Sequence, residues 1–417
     1  MNPNQPFRLG ILRESKKPYD LRTPLIPEDC RTLLETYPWM EIRVQPSSFR
    51  CFEDKQYHDA GCLMQENLLG CQLILGVKEV ALDQLLPDHS FAFFSHTIKA
   101  QPYNQELMRH MVRNRITLHD YELMTNESGQ RTIAFGYWAG IVGAWHGLRM
   151  RGLRSGNYTW PRAVEMGSYQ ELQQILLNDR ALIANKDCSP LRVLVCGSGR
   201  VGQGAVRVLK DAGFIALDPQ DLLNSNGNIS ASNSGIYTVL RSKDLFRAKD
   251  GSPYSSQAFY TRPQDFESCV GPYLGSADLM INTIYWNPAA PRHFATMHIQ
   301  DSKFTIQQIA DISCDIDGSV PLTVRPSTIE DPYYGISKAT LLECTPFDPN
   351  SVDIMAVDNL PCELPTDASR DFSAALCRYF LNPLMNKPSS ILENALLLNQ
   401  GRLNPNFQYL QGYALIA

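Results

Sequence analysis

The sequence predicts an α/β chain of two doubly wound domains with an interdomain cleft. Three observations predict it. The stretch Leu191 to Asp218, LRVLVCGSGRVGQGAVRVLKDAGFIALD, runs an apolar strand, a glycine turn and a helical repeat together without a gap. Before it, strand-like and helix-like runs alternate, the pattern of parallel βαβ units. The length, 417 residues, is more than one core ordinarily holds.

The central stretch has a mechanism behind each residue. Leu191 to Cys196 reads as a buried strand, and Val201, Ala205, Val208 and Leu209 recur at helical spacing. Between them stands Gly197-Ser198-Gly199-Arg200-Val201-Gly202. Gly197 permits a tight turn, Gly199 lets backbone approach a pyrophosphate, and Gly202 lets helix and strand pack closely. The helix N-terminus offers free N–H groups to phosphate. Asp218 ends the next apolar run, about where an acid meets the adenine ribose. This half is therefore expected to be a Rossmann-like dinucleotide-binding domain.

The other elements follow in order. Phe7 to Arg13 is a first strand, and Pro27-Glu28-Asp29 opens a helix with Pro and acids in its first turn. Glu41 to Val44 is a second strand, and Phe52 to Ala60 a short helix closed by Gly61. Gln72 to Val77, Phe91 to Phe94 and Ile116 to Leu118 are further strands, with a helix over Pro102 to Arg113. Thr132 to Leu148 carries no full charge but holds four glycines and His146 and is short for a bilayer, so it reads as a buried helix linking two domains. Later strands are expected at Leu279 to Ile284, Gln308 to Ile312, Leu341 to Cys344 and Ile354 to Val357, and a helix at Thr366 to Phe380. The polar run Asn224 to Ser234 opens an insertion to about Glu267. The expected division is a substrate-side domain of residues 1–135 plus 340–417 around a dinucleotide domain of 136–339.

Composition narrows the function. Net charge is −5 with no long basic block, which argues against nucleic acid or an anionic membrane as partner. Eleven scattered cysteines without a CxxC pair fit buried thiols in a reducing compartment rather than disulfides or a metal site. Residues 1–15 show no basic stretch followed by an apolar one, so a cytoplasmic protein is expected.

Ligands of open parallel sheets bind outside the carboxyl ends of the strands. Those ends collect charge in the first half: Arg13, Glu14, Lys16, Lys17 and Arg22 after the first strand, then Lys78 and Glu79, then His96 and Lys99, then Asp120 and Glu122, with Arg131 beyond. Singly, each is most often a solvated charge or a structural histidine. Sharing one edge, they suit a small substrate bearing carboxylates.

At these residues the chain resembles the lysine-forming saccharopine dehydrogenases and the lysine-ketoglutarate reductase half of the bifunctional lysine-degrading enzymes, relatives of alanine dehydrogenase and transhydrogenase. The matching pieces are LRESKKPYDLRTPLIP from Leu12, LILGVKEV from Leu73, FFSHTIKAQ from Phe93, LHDYELM from Leu118, RTIAFGYWAG from Arg131, INTIYWN from Ile281, ADISCDIDGSV from Ala310 and AVDNLPCELPTDAS from Ala356. The resemblance implies one such module, without a second dehydrogenase, that interconverts L-lysine plus 2-oxoglutarate with saccharopine through NAD(P). It implies Lys78 and His96 as the acid–base pair, with Lys17, Arg22, Lys99, Glu122 and Arg131 binding substrate. It puts Ile284 and Asp315 on the cofactor side, beside the glycine turn. Asp218 by itself predicts NAD, the resemblance implies NADP, and the balance falls slightly to NADP. An opine-type or amino-acid dehydrogenase for another amine and 2-oxo acid, or a non-catalytic NAD(P)-binding protein, are the competing readings.

Overall fold

The computed structural model describes residues 6–16, 20–127, 129–183, 190–224, 235–386 and 390–414. The chain divides into two units, residues 1–135 with 365–417, and residues 136–364.

The first unit is built on six parallel strands: β1 (Phe7–Ile11), β2 (Met40–Val44), β3 (Leu63–Met64), β4 (Leu73–Leu75), β5 (Ser90–Phe93) and β6 (Thr117–Asp120). β1 lies between β2 and β4, so the order reverses direction there, which opens the crevice that doubly wound sheets use for ligands. β4 is buried at all three positions, as a strand covered on both faces must be. The Pro27–Thr36 helix starts on its proline and buries Cys30 and Leu33, and Gly61 follows the Asp54–Asp59 helix at φ +94°.

The second unit opens with the Gly136–Ser155 helix, which replaces the linking helix expected over 132–148. Its glycines answer to packing. A Cβ on Gly140 would lie 1.9 Å from the Val201 carbonyl oxygen, and one on Gly204 2.0 Å from that of Tyr137, so this helix and Arg200–Asp211 touch backbone to backbone. The strands that follow are β7 (Arg192–Cys196), β8 (Ile215–Ala216), β9 (Ile236–Leu240), β10 (Phe246–Ala248), β11 (Phe266–Ser268), β12 (Leu279–Asn282), β13 (Gln308–Asp311), β14 (Tyr333–Ser337), β15 (Glu343–Cys344) and β16 (Ser351–Met355). Eight form one sheet in the order β15-β14-β16-β13-β12-β7-β9-β8, and β10 and β11 form a separate hairpin.

Two expectations change here. Residues 340–364 stay in the second unit, because β16, buried at all five positions, pairs with β13 and β14. The stretch expected as an insertion over 224–267 contains β9, which sits inside the main sheet beside β7, so among its described residues those after β9 form the excursion. Residues 225–234 of that stretch lie outside the described ones.

From Pro365 the chain completes the first unit. The Pro365–Leu376 helix is capped by a π turn over Cys377–Leu381. Two antiparallel strands, β17 (Leu396–Asn399) and β18 (Arg402–Leu403), then extend the first sheet beyond β6. Phe372 stacks on Phe135 at 4.5 Å between centroids, and Ser369 and Ser373 accept the Thr23 and Ile26 N–H groups. The tail is thus part of the first core.

Among the described residues, no helix is long and apolar enough to cross a membrane, and the cysteines are free thiols.

Candidate active site

In the first unit the site grows from the ends of β1, β4, β5 and β6. His96 follows β5 with φ +50°, a left-handed backbone that an L-residue enters at a cost of about 1–2 kcal/mol. The turn is held by Asn104, whose Nδ2 donates to the Ser95 carbonyl at 3.2 Å. His96 Nδ1 meets Glu79 Oε1 at 2.5 Å, and Lys16 Nζ stands 3.8 Å from the other Glu79 oxygen. The imidazole also lies parallel to the Phe94 ring, at 6.1 Å.

Electrostatics follow from these partners. Burial alone would push the His96 imidazolium down, but the Glu79 hydrogen bond and charge, with Glu122, outweigh it and the net shift is upward. The Lys78 ammonium acts on the same ring and opposes the rise. Burial would raise Glu79, yet His96 and Lys16 hold its carboxyl down at about 2. Beneath Lys78, the Glu14 carboxylate accepts the Val77 N–H at 2.6 Å and the Lys78 N–H at 3.4 Å. Burial, then the Asp20 charge, push Glu14 up to about 7. Asp120 is raised to about 6 by burial and by Glu122, and the Ser95 hydroxyl donates to it.

The arginines are engaged. Arg22 donates to Asp20 at 2.9 and 2.5 Å, is almost wholly buried, and lies 4.0 Å over the Phe135 ring. Arg131 donates to Glu122 at 2.7 Å and keeps 46% of its side chain exposed.

In the second unit the glycine turn fits a dinucleotide. Gly197 has φ +112°, and its missing Cβ would sit 2.6 Å from Thr283 Oγ1 and 3.1 Å from an Ile284 methyl. A Cβ on Gly202 would strike the Gly197 carbonyl at 2.2 Å. A Cβ on Gly199 would meet nothing within 4 Å, which leaves open the space a pyrophosphate needs above the N-terminus of the twelve-residue Arg200–Asp211 helix. The turn, Ser198 and Gly202 included, borders a cleft of about 690 Å³ that reaches Asp218.

Residues 10–142 match the family described as alanine dehydrogenase/PNT, N-terminal domain.

The chain is 30% identical to the alpha-aminoadipic semialdehyde synthase of Arabidopsis thaliana over 96% of its length, covering 41% of that protein. It is 28% identical to the mitochondrial enzyme of the same name from Rattus norvegicus, over 97% of this chain and 47% of the relative. It therefore spans less than half of these relatives. The saccharopine dehydrogenase [NAD(+), L-lysine-forming] of Emericella nidulans is 24% identical over 88% of this chain and 89% of its own. Among solved structures, an L-alanine dehydrogenase superposes with a TM-score of 0.65 at 17% identity, covering 98% of this chain and all of the other. A transhydrogenase from Sinorhizobium meliloti reaches 0.57 at 13%, covering 96% and 99%. These two show the α/β fold. The relatives are named dehydrogenases and synthases of amino-acid chemistry, and the class of cofactor that goes with this fold is NAD(P).

Within the alanine dehydrogenase/PNT stretch, Lys78, His96, Glu122, Arg131 and Arg22 come to one sheet edge. Lys99 is exposed three residues past His96, and Lys17 lies outside the described residues. Outside the stretch, Ser198, Gly199 and Arg200 are exposed at the turn, Val201 is the second residue of the helix and Ile284 packs on Gly197. Asp315 stands in the turn after β13, where Gly318 N–H meets its carbonyl at 2.9 Å.

Sequence reasoning missed a second tier. Thr283 Oγ1 donates to the Cys196 carbonyl at 2.8 Å and ties the end of β12 to the glycine turn. Asn282 Nδ2 donates to Asp311 at 2.8 Å and to Ser319 at 2.9 Å, and Asn282 Oδ1 accepts from His293 Nε2 at 3.0 Å. Burial drives His293 down to about 4, so it is neutral and donates. This network fixes the loops after β12 and β13. Its only signal in the sequence was the polar residues inside INTIYWN and ADIS.

Proposed function

We propose that the chain interconverts L-lysine plus 2-oxoglutarate with saccharopine, using NADP in preference to NAD. The observation that carries the reading is His96, held through Nδ1 by Glu79 at 2.5 Å beside the Lys78 charge, at the carboxyl edge of the family-matched stretch. Likeness to saccharopine dehydrogenases across nine-tenths of both chains supports the substrates.

The lysine ε-amine adds to the ketone, water leaves, and the imine takes up a hydride and a proton. When bound, the nicotinamide ring supplies the hydride. The chain must move the other protons. With Nδ1 occupied by Glu79, His96 exchanges its proton at Nε2. Its upward shift favours the protonated form, from which that nitrogen can give a proton to the departing oxygen. Lys78 is the second group of the pair, at the amine. Arg131, paired with buried Glu122 but with 46% of its side chain exposed, is placed to meet a substrate carboxylate with the donors that Glu122 does not use. Buried Arg22 is held in place at the edge by its side-chain hydrogen bonds to Asp20.

A cofactor-oxidation assay tests this, with NADH and NADPH in parallel and lysine, alanine and other amines against 2-oxoglutarate and pyruvate. Turnover that requires both lysine and 2-oxoglutarate is expected. Turnover with a different pair makes the chain an opine-type or amino-acid dehydrogenase. Nucleotide binding without turnover on any pair makes it a non-catalytic binding protein.

A further inference from the structure

The order of the second sheet decides which residue stands at the adenosine end of the cleft. In a dinucleotide fold, the phosphate turn follows one strand and the ribose is met at the carboxyl end of the strand beside it. Beside β7 lies β9, paired along its whole length with Cys196 opposite Leu240. β8 pairs only with β9, forms the sheet edge, and is two exposed residues long. Asp218, the acid that the sequence suggested for the ribose, follows that edge strand. The residue that follows β9 is Arg241, with Lys243 two further on.

Charge at the cleft agrees with that placement. Of its charged lining side chains four are cations and two are carboxylates, a surplus that suits an added phosphate better than a bare ribose diol. Arg207 is bound to Asp211 at 2.8 Å. Arg241 and Lys243 are exposed, and among the described residues neither side chain forms an ion pair. The adjacent acid, Asp244, is turned to the backbone, where it accepts the Arg241 N–H at 3.0 Å. Arg241 thus keeps its planar fork available, and such a fork matches a phosphate through two parallel hydrogen bonds.

We propose that Arg241, assisted by Lys243, receives the 2′-phosphate of an NADP-type dinucleotide and is the residue that decides cofactor choice. The proposal rests on the reading of the chain as a nicotinamide-dependent oxidoreductase, and it assigns the choice to the strand beside the phosphate turn rather than to Asp218.

Calorimetric titration of the full chain with 2′,5′-ADP and with 5′-AMP isolates the 2′-phosphate without turnover. The parent should bind 2′,5′-ADP tighter than 5′-AMP by roughly 10–100-fold, the range for hydrogen bonds to a charged group. Arg241→Ala should erase most of that ratio while leaving 5′-AMP affinity within about two-fold, and Arg241→Gln, which keeps a donor without the charge, should fall between. Lys243→Ala should lower the ratio by a smaller factor, and Asp218→Asn should not reduce it. Equal affinities in the parent, an unchanged ratio in Arg241→Ala, or a ratio lost in Asp218→Asn instead would each overturn the assignment. If lysine and 2-oxoglutarate fail as substrates while the nucleotide ratio behaves as stated, the proposed reaction falls and this site stands.

Discussion

His96 sits in a backbone region that few side chains enter, and its ring is gripped by a carboxylate. Strain of this kind persists only where neighbours over-determine it, here Glu79, Asn104 and Phe94. Replacing either Lys78 with Met or His96 with Gln should slow turnover by about 10²–10⁴-fold, the usual worth of one positioned acid–base group. Nucleotide affinity should stay near the parent's, because the glycine turn belongs to the other unit. Turnover within a few-fold of the parent in both variants would make the two residues structural. Glu79→Gln removes the hydrogen bond and charge that raise His96, so the imidazole pKa should fall, and the limb of the kcat/KM profile that it controls should move to lower pH. An NMR titration of the ring Cε1 proton checks this, and an unmoved pKa would show that Glu79 does not tune it. The pair also carries a stability signature. Glu79, depressed to about 2, contributes above its ordinary 4.5 and loses that contribution as pH falls through 2. His96, raised, contributes fully below 6.5 and loses it as pH rises through its folded value. The contact therefore helps most between those ordinary values. Lys78 and His96 were legible because each stands at a strand end. The Asp20–Arg22 and Arg131–Glu122 pairings were not, since a sequence shows which charges are present but not how they pair off.

At the scale of elements, the strand–turn–helix of Leu191 to Asp211 was legible in full, because each of its glycines acts on immediate neighbours. Gly199→Val should leave the thermal unfolding curve near the parent's, since its side chain enters open space, and should abolish dinucleotide binding by calorimetry. Retained binding would remove the turn from the cofactor site. Gly140→Ala and Gly204→Ala should do the reverse and damage the fold. Each methyl would press on carbonyl oxygen about 2 Å away, and overpacking of this kind costs about 1–3 kcal/mol or more. Each kcal/mol lowers the melting temperature by roughly 2–4 °C in a unit of this size. An unchanged melting temperature would mean that the helices slide apart freely. The glycines of that helix were visible, but their reason lies some sixty residues away in the Arg200–Asp211 helix. Strand order was hidden for the same cause. β8 precedes β9 in the chain, yet β9 takes the place beside β7, and only hydrogen bonds across the sheet reveal it. The placement of residues 340–364 was misread because β16 resembles any apolar run, while its neighbours are β13 and β14.

For the whole molecule, the consequential feature is that residues 136–364 form a continuous unit set inside a discontinuous one. The first sheet lacks β17 and β18 until residue 403 has been made, and its core lacks Phe372, which packs against Phe94, Tyr121 and Phe135. A fragment of residues 1–135 should therefore bind a hydrophobic dye and melt without a sharp transition, whereas residues 136–364 should unfold cooperatively. A cooperative, dye-silent 1–135 fragment would contradict the role given to the tail. On the ribosome the same arrangement becomes a matter of timing. At about 5–20 residues per second, synthesis of the interposed unit takes roughly 10–45 s, and for that interval the nascent N-terminal strands wait with an unsealed aromatic face. Chaperone occupancy should concentrate there, and synonymous codons that slow translation across residues 136–364 should lower soluble yield without altering a single side chain.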